Sequence, residues 1–146
     1  MSRPTHTALE ISSLTDHQSY ERLLSTAFGR VALSSGALPV IFPIHYAMLD
    51  FDPVFRTDPG TTLMSASNGQ VLCLEIDEIH PTLHTGWSVL VTGRADVLDD
   101  PEDVAAAAAL PLRPWIGQGD AFVRIRAAMV TGREIRPASS DQGPFA

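Results

Sequence analysis

The spacing of hydrophobic residues changes near Arg30, and this change divides the chain into a helical start and a strand-rich remainder. Before it, one apolar face at helical spacing is formed by Tyr20, Leu23, Leu24 and Ala27. Thr15 or Asp16 is expected to cap this helix, because a side-chain oxygen there accepts the open amides of the first turn. The helix is predicted to run to about Ala27 and to end at Gly29. From Arg30 onward the period approaches two, which is typical of strands.

Short apolar runs separated by turn residues predict six or seven strands after the helix. We place them at residues 31–33, 38–49, 54–57, 71–77, 87–98 and 121–126, with a further short strand at 129–135. The run at 71–77 is apolar on both faces as far as Glu75, which is typical of a central strand. Residues 63–67 are predicted to form a helical turn and residues 78–86 a loop. A second helix follows Pro101, because proline suits the first helical position.

Strands that follow one another with only two peripheral helices favour a closed antiparallel β-barrel over alternating βαβ units. No internal repeat and no linker interrupts the sequence. We therefore predict a single domain over residues 1–146, with loose ends at 1–13 and 137–146.

Two kinds of residue predict irregularities inside the strands. Pro39 and Pro43 lack amide donors, so the strand at 38–49 is expected to keep an open edge or a bulge on at least one side. Backbone groups on such an edge are available to something other than a neighbouring strand. Gly93 is the expected position of a β-bulge in the strand at 87–98.

Composition excludes several classes of partner. Ten Arg, no Lys and seventeen acidic residues give a net charge of −7, whereas binding to a phosphate backbone favours the opposite balance. No apolar run approaches the roughly 20 residues of a membrane-spanning helix, and the first residues do not resemble a signal peptide. We therefore expect a cytoplasmic protein without nucleic-acid or membrane partners.

The residue types that usually carry catalysis give no recognisable arrangement. The sequence contains no G-x-S-x-G elbow, no P-loop and no G-x-G-x-x-G fingerprint. Cys73 lies in an apolar run and is interpreted as a small buried hydrophobe. Pro81 lies between His80 and His84 and opposes the helix that would align them, so no metal site is predicted. His45 lies within an apolar strand and is interpreted as a hydrogen-bonded core or interface histidine.

One turn has the composition of an anion site, and its residues are Arg56, Thr57, Gly60, Thr61 and Thr62. The Arg56 fork, the threonine hydroxyls and a conformationally permissive glycine suit a phosphomonoester, although an ordinary polar turn has the same composition. Trp87 and Trp115 are more often packing residues. However, flat apolar walls beside an edge strand with prolines also suit a planar cofactor.

Several stretches together resemble one family. They read SYERLLSTAFGRVAL, PVIFPIHYAM, VFRTDPGTTL, VLCLEIDEI, TGWSVLVTGRADVL, LRPWIGQGD and FVRIRAAMVTGREI, and they span roughly residues 18–136. In this order they resemble the pyridoxamine 5'-phosphate oxidase-related flavin-binding split-barrel proteins. The branch that they most resemble is the small one that contains nitroimidazole-resistance-type reductases.

The resemblance implies a six-stranded antiparallel split barrel that forms a homodimer and holds flavin mononucleotide (FMN) at the dimer interface. It assigns the ring-facing backbone to residues 42–47, that is Phe42, Pro43, Ile44, His45, Tyr46 and Ala47. It assigns the phosphate to Arg56, Thr57, Gly60, Thr61 and Thr62. It places Trp87 and Ser88 close to the flavin, and Trp115 near it in the Pro-Trp loop.

The sequence departs from the family pattern at the phosphate turn. A lysine is common in this branch where Thr62 stands, and Arg56 occupies the position of a histidine associated with nitroimidazole reductases. The leading interpretation is an FMN-dependent oxidoreductase that transfers hydride or electrons to a small molecule, with no catalytic side chain assigned. The alternatives are a deazaflavin-dependent reductase, or a flavin- or haem-binding dimer without turnover.

Overall fold

The computed structural model describes residues 8–61, 63, 68–113 and 119–138. Its elements, in chain order, are β1 (Leu9–Ser13), α1 (Asp16–Ser25), β2 (Phe28–Ser35), β3 (Leu38–Leu49), β4 (Asp52–Thr57), β5 (Val71–His80), β6 (Thr85–Val97), α2 (Pro101–Ala108) and β7 (Ala121–Pro137). All strand pairs are antiparallel. Neither described helix has the length and apolar character needed to cross a bilayer.

Six strands close into a ring, which confirms the split-barrel prediction. The pairings run β2–β3–β4–β7–β6 and return through β5 to β2. A seventh strand, β1, pairs with the end of β7, and Leu9 lies opposite Pro137. The prediction of a loose arm over residues 1–13 is therefore wrong for residues 9–13. Their partner lies at the other end of the chain, where no local period reveals it.

The open edge predicted from the prolines is present on β3. Residues 38–45 pair with β2, but β4 covers the other side of β3 only from Tyr46 to Leu49. The Tyr46 amide donates to the Ala27 carbonyl at 2.8 Å. Because amides alternate between the two sides of a strand, Pro39 and Pro43 lie where their missing amides would face the open edge. No strand partner covers that edge among the described residues.

Helix α1 begins as predicted but ends earlier than predicted. Thr15 caps it through a reciprocal pair of hydrogen bonds with Gln18. The backbone becomes extended at Thr26, and Gly29 lies inside β2 rather than at the helix end. An added Cβ at Gly29 would lie 2.8 Å from the Glu75 carbonyl oxygen, so this glycine permits close strand approach.

Several strands are longer than their patterns predicted. Strand β5 extends to His80, and a four-residue turn replaces most of the loop predicted at 78–86. The two strands predicted at 121–126 and 129–135 form one continuous strand, β7. Strand β2 also starts earlier, at Phe28. Pairing with a neighbouring strand carries each of them across weak points in its own alternation. The bulge at Gly93 and the helix at Pro101 are confirmed.

Two apolar clusters hold these elements together. The larger one fills the ring with inward side chains from all six of its strands, including Val31, Tyr46, Phe55, Leu74 and Val123. A smaller cluster packs α2 against the outside of the ring, where Ala107 and Leu112 contact Val54 and Phe122. Residue Leu112, which follows α2, is thereby placed beside the end of β4.

A charged cluster lies on the outer face of β2 and β5. The Arg30 guanidinium is 3.6 Å from a Glu75 carboxylate oxygen and 3.7 Å from an Asp77 oxygen. That Glu75 oxygen is buried and has no hydrogen-bond partner among the described residues. Burial, a hydrogen bond with Asp77 and the Asp77 charge raise the pKa of Glu75 from its ordinary 4.5 to about 7, and Arg30 opposes this shift.

This raised pKa predicts a pH-dependent stability. Between about pH 4.5 and 7 the folded protein keeps a proton on Glu75 that the unfolded chain has lost, so stability falls across this range and levels off above it. Glu75→Gln is expected to flatten that slope and to raise the melting temperature at pH 8, as measured by calorimetry from pH 4.5 to 8. Glu78→Gln, at an exposed carboxyl of the same strand, is the matched control and should keep the wild-type slope. An unchanged slope in the Glu75 variant would contradict the assignment.

Candidate functional site

Residues 42–47 of β3, which the resemblance assigns to the flavin ring, direct their side chains alternately to the two faces of the sheet. Ile44 and Tyr46 are buried inside the ring of strands, and the Tyr46 hydroxyl donates to the Leu23 carbonyl at 2.6 Å. Burial raises the pKa of the Tyr46 phenol, which therefore stays neutral. Phe42 also packs against the core. These three side chains are structural, so what this segment offers a ligand is its backbone at the open edge.

Pro43 and His45 point outward from the same segment. The His45 ring lies 4.9 Å from the Phe28 ring, and its Nδ1 accepts the Arg113 amide at 3.1 Å. His45 is thus half-buried and hydrogen-bonded, as its interpretation as a core or interface residue required. Pro43 and Phe28 line a cavity of about 470 Å3 that also contains Arg30 and Glu75. Apolar and charged groups therefore meet beside the ring-facing strand.

The predicted anion turn is a type II β-turn. The Thr61 amide lies 3.4 Å from the Asp58 carbonyl, Pro59 follows Asp58, and Gly60 has φ +84°. A Cβ at Gly60 would meet no atom within 4 Å, so the backbone angle and not the space demands glycine. The sequence identified this turn correctly from its Pro-Gly pair.

The threonine hydroxyls of this turn form a short chain of hydrogen bonds. The Thr61 hydroxyl donates to the Asp58 carbonyl at 2.9 Å, and the Thr57 hydroxyl lies 3.1 Å from the Thr61 hydroxyl. Because Thr61 has one hydroxyl hydrogen, the direction of the chain is Thr57 to Thr61 to Asp58. Hydroxyl hydrogens rotate, so Thr61 is able to exchange the carbonyl for an anion.

Arg56 at the end of β4 is held by two backbone carbonyls. Its Nε donates to the Gly119 oxygen at 2.8 Å, and its Nη1 lies 3.5 Å from the Leu112 oxygen. The guanidinium also lies 5.2 Å from the centre of the Phe122 ring. Arg56 therefore lies in β4, just before the turn, and contacts from the segment between α2 and β7 fix the plane of its guanidinium.

Leu112 and Arg113, which are adjacent in sequence, connect β3 to the end of β4. Leu112 contacts Arg56 through its carbonyl, and Arg113 contacts His45 through its amide. The two predicted half-sites, which lie on β3 and at the end of β4, are thereby brought together. Asp58 adds a contact that the sequence did not predict, because its carboxylate accepts the Gly119 amide at 2.6 Å. From the sequence, Asp58 was assigned no role.

Trp87 and Ser88 lie away from this junction in the single chain. Trp87 pairs with Glu134 of β7, whereas Arg56 pairs with Phe122, twelve positions earlier on the same strand. Twelve residues of strand correspond to roughly 40 Å of chain. The Trp87 ring is buried, and the Arg22 guanidinium carbon lies 4.9 Å from its centroid. Thr62 and Trp115, the two remaining predicted residues, lie outside the described residues.

The histidines of the described part of the chain and Cys73 add no further site. His80 Nδ1 accepts the Leu83 amide within the β5–β6 turn. Among the described residues, no three His, Cys, Asp or Glu side chains are grouped in a way that suits a metal ion. Cys73 is half-buried, and the Thr92 hydroxyl lies 3.5 Å from its sulfur.

Comparison with known proteins gives consistent matches over most of the chain. The sequence model of the pyridoxamine 5'-phosphate oxidase family matches residues 15–134. An uncharacterized protein of Mycobacterium tuberculosis, Rv0080, is 36% identical over 134 residues, which cover 88% of each chain.

Solved structures have the same fold. An FAD-binding protein from Mycobacterium smegmatis is 31% identical, with a TM-score of 0.75 over 86% of this chain and 99% of that one. A FAD- and haem-binding protein from the same organism shares the fold at 16% identity, with a TM-score of 0.68 over 90% of this chain and 77% of its own. On the family match and the 36% identical relative, this chain belongs to the pyridoxamine 5'-phosphate oxidase family.

Proposed function

We propose that this protein is a flavin-dependent oxidoreductase that acts on a small-molecule substrate, with FMN as its cofactor. The observation that carries the proposal is the junction of the open β3 edge with the Asp58–Thr61 turn, which Leu112 and Arg113 bridge. Unpaired strand backbone suits the polar rim of a flat ring, and an arginine beside a glycine turn suits a phosphate. Membership of a family with flavin-binding relatives points in the same direction.

Each described part of the site has a separate task in this proposal. Within the segment 42–47, the backbone on the open edge at residues 42–45 orients the flavin ring, because β4 covers that side of β3 at residues 46 and 47. Arg56, Thr57, Gly60 and Thr61 hold the phosphate, together with Thr62. The flavin supplies hydride or electron transfer when it is bound. The residues of this chain bind and orient the cofactor, and no side chain is assigned as acid or base.

A second copy of the chain completes the proposed site. Trp87 and Ser88 of one chain lie too far along β7 from Arg56 of the same chain to share one cofactor. An uncharged row crosses five strands on the outer face of the ring through paired positions, namely Ile41, Ala32, Cys73, Thr92 and Met129. Ile41 is 66% exposed and Met129 is 60% exposed, so this outer row offers apolar surface for a homodimer.

FAD is the second candidate cofactor, because two observations favour it. The 31% identical M. smegmatis protein binds FAD. The turn also places the Asp58 carboxylate near Arg56, and the chain has no lysine to balance the dianion of a phosphomonoester. Each phosphate of a diphosphate diester carries a single charge and needs less compensation. Deazaflavin, and a flavin- or haem-binding dimer without turnover, are the remaining alternatives.

The visible spectrum of the purified protein tests the cofactor. The predicted result is a pair of absorption bands at about 370 and 450 nm, as an oxidised flavin gives. Heat-released cofactor identifies the nucleotide, because phosphodiesterase increases the fluorescence of FAD and leaves that of FMN unchanged. A Soret band would support haem instead. A colourless protein that takes up neither flavin nor deazaflavin would refute the enzyme proposal.

Arg56→Ala is expected to weaken flavin binding roughly ten- to a hundredfold, since a charge-assisted contact contributes about 1.5–3 kcal/mol. Fluorescence titration of the flavin-free protein measures the affinity. Arg56→Lys keeps the charge and should lose less affinity than the alanine variant. Arg136→Ala, at the exposed pair with Glu10, is the matched control and should bind flavin normally. Equal affinity in the Arg56→Ala variant would show that the phosphate lies elsewhere.

Light scattering after gel filtration tests the homodimer, which should give twice the chain mass of 15.7 kDa. Ile41→Arg places a charge in the outer row and is expected to give monomers that have also lost flavin. Leu83→Arg is the control, because Leu83 is 61% exposed and lies in the β5–β6 turn, outside the outer row. A dimeric Ile41→Arg protein would refute this choice of surface.

A further inference from the structure

The backbone of Gly119 is held at both its amide and its carbonyl by one short stretch of chain. Its amide donates to the Asp58 carboxylate at 2.6 Å, and its carbonyl accepts from Arg56 Nε at 2.8 Å. Asp58 and Gly119 are 61 residues apart in sequence. Gly119 is buried and has φ +66°, a conformation that side chains other than glycine rarely adopt. The two contacts therefore fix the backbone of a residue whose φ angle already favours glycine.

Asp58 divides its polar groups between two tasks. Its carbonyl accepts from the amide and the hydroxyl of Thr61 and so closes the Asp58–Thr61 turn. Its carboxylate points to the other side, towards Gly119. One residue thus connects the turn that follows β4 to the chain that enters β7.

The hydrogen bonds form a relay from Asp58 to Arg56. The carboxylate fixes the Gly119 amide, the Gly119 carbonyl fixes Nε of Arg56, and Leu112 receives a contact from Nη1. A guanidinium is planar, so contacts at two of its nitrogens determine how the whole fork is oriented. Loss of the Asp58 acceptor would leave a buried amide unpaired and would loosen the Gly119 backbone, whose carbonyl orients Arg56.

We infer that Asp58 is a positioning residue of the cofactor site, which orients the Arg56 guanidinium through the backbone of Gly119. The inference rests on the proposed function, because it assigns Arg56 to the cofactor phosphate. It predicts that a carboxylate beside an anion site strengthens binding of the anion. Simple electrostatics predicts the opposite sign, since removing a negative charge near a phosphate should tighten its binding.

Three substitutions at Asp58 separate these two effects in a flavin titration of the flavin-free full-length protein. Asp58→Ala removes the acceptor and is expected to weaken flavin binding about tenfold or more, because an unpaired buried amide costs on the order of 1–3 kcal/mol. Asp58→Asn keeps a carbonyl acceptor without the charge and should bind within about threefold of wild type. Asp58→Glu keeps the charge but displaces the acceptor, and should bind severalfold more weakly.

Asp120→Ala is the matched control. It removes the same charge from an exposed residue next to Gly119 and leaves the Asp58 contact intact. Its flavin affinity should equal or slightly exceed that of wild type. If Asp58→Ala does not fold, the comparison of Asp58→Glu with wild type carries the test. The relay predicts that Asp58→Glu binds flavin severalfold more weakly than wild type, whereas the charge effect predicts wild-type affinity, because the negative charge is kept.

Amide hydrogen exchange gives a second measurement that does not need the cofactor. Exchange of the Gly119 amide, followed by NMR in the flavin-free protein, should accelerate at least tenfold in Asp58→Ala and stay near wild type in Asp58→Asn. An Asp58→Ala protein that binds flavin as tightly as wild type, or more tightly, would overturn the inference while leaving the proposed function intact. Failure of the wild-type protein to bind flavin would instead overturn the proposed function, and the inference with it.

Discussion

The closure of the ring through β7 is the constraint on which the rest of the structure depends. At Val123 and Arg124 this strand has a partner on each side, β4 and β6. Arg124 also forms a largely buried ion pair with Asp52, at 2.9 Å, where β4 begins. The second Asp52 oxygen accepts the Ala127 amide at 2.9 Å, so residues of β7 bind both oxygens of this carboxylate. The candidate site lies directly beyond this closure, because Arg56 lies in the last two residues of β4 and Gly119 lies two residues before β7.

Elements whose signals lie within a few residues could be predicted from the sequence. The bounds of β3 at Leu38 and Leu49 were predicted exactly, because a Gly-Ala turn precedes the strand and Asp50 follows it. The bulge at Gly93 was also predicted, and an added Cβ there would collide with the Arg126 carbonyl. In each case the deciding cause is a backbone property of the residue itself, such as a missing amide or a missing side chain.

Elements that depend on distant partners could not be predicted in the same way. Strand β1 exists because residues 133–137 offer it an edge, and no pattern in five residues reveals that partner. The Ala-Ala pair at 127–128 interrupts the alternation of β7, yet β6 carries the strand across it. Gly29 shows the same limit, since its close neighbour is Glu75 of β5 and not the preceding helix. Tertiary pairing decided each of these features against the local signal.

The candidate site shows both kinds of feature within one turn. Its shape follows from Pro59 and Gly60, which the sequence displays, while the orientation of Arg56 follows from Gly119, which only the fold brings near. A site built from residues that are far apart in sequence is only as stable as the strands and loops that hold those residues in place. In the proposed dimer this dependence extends to a second chain. A cofactor bound between two chains stabilises their association by the same free energy with which association stabilises the bound cofactor, so affinity and assembly are thermodynamically coupled.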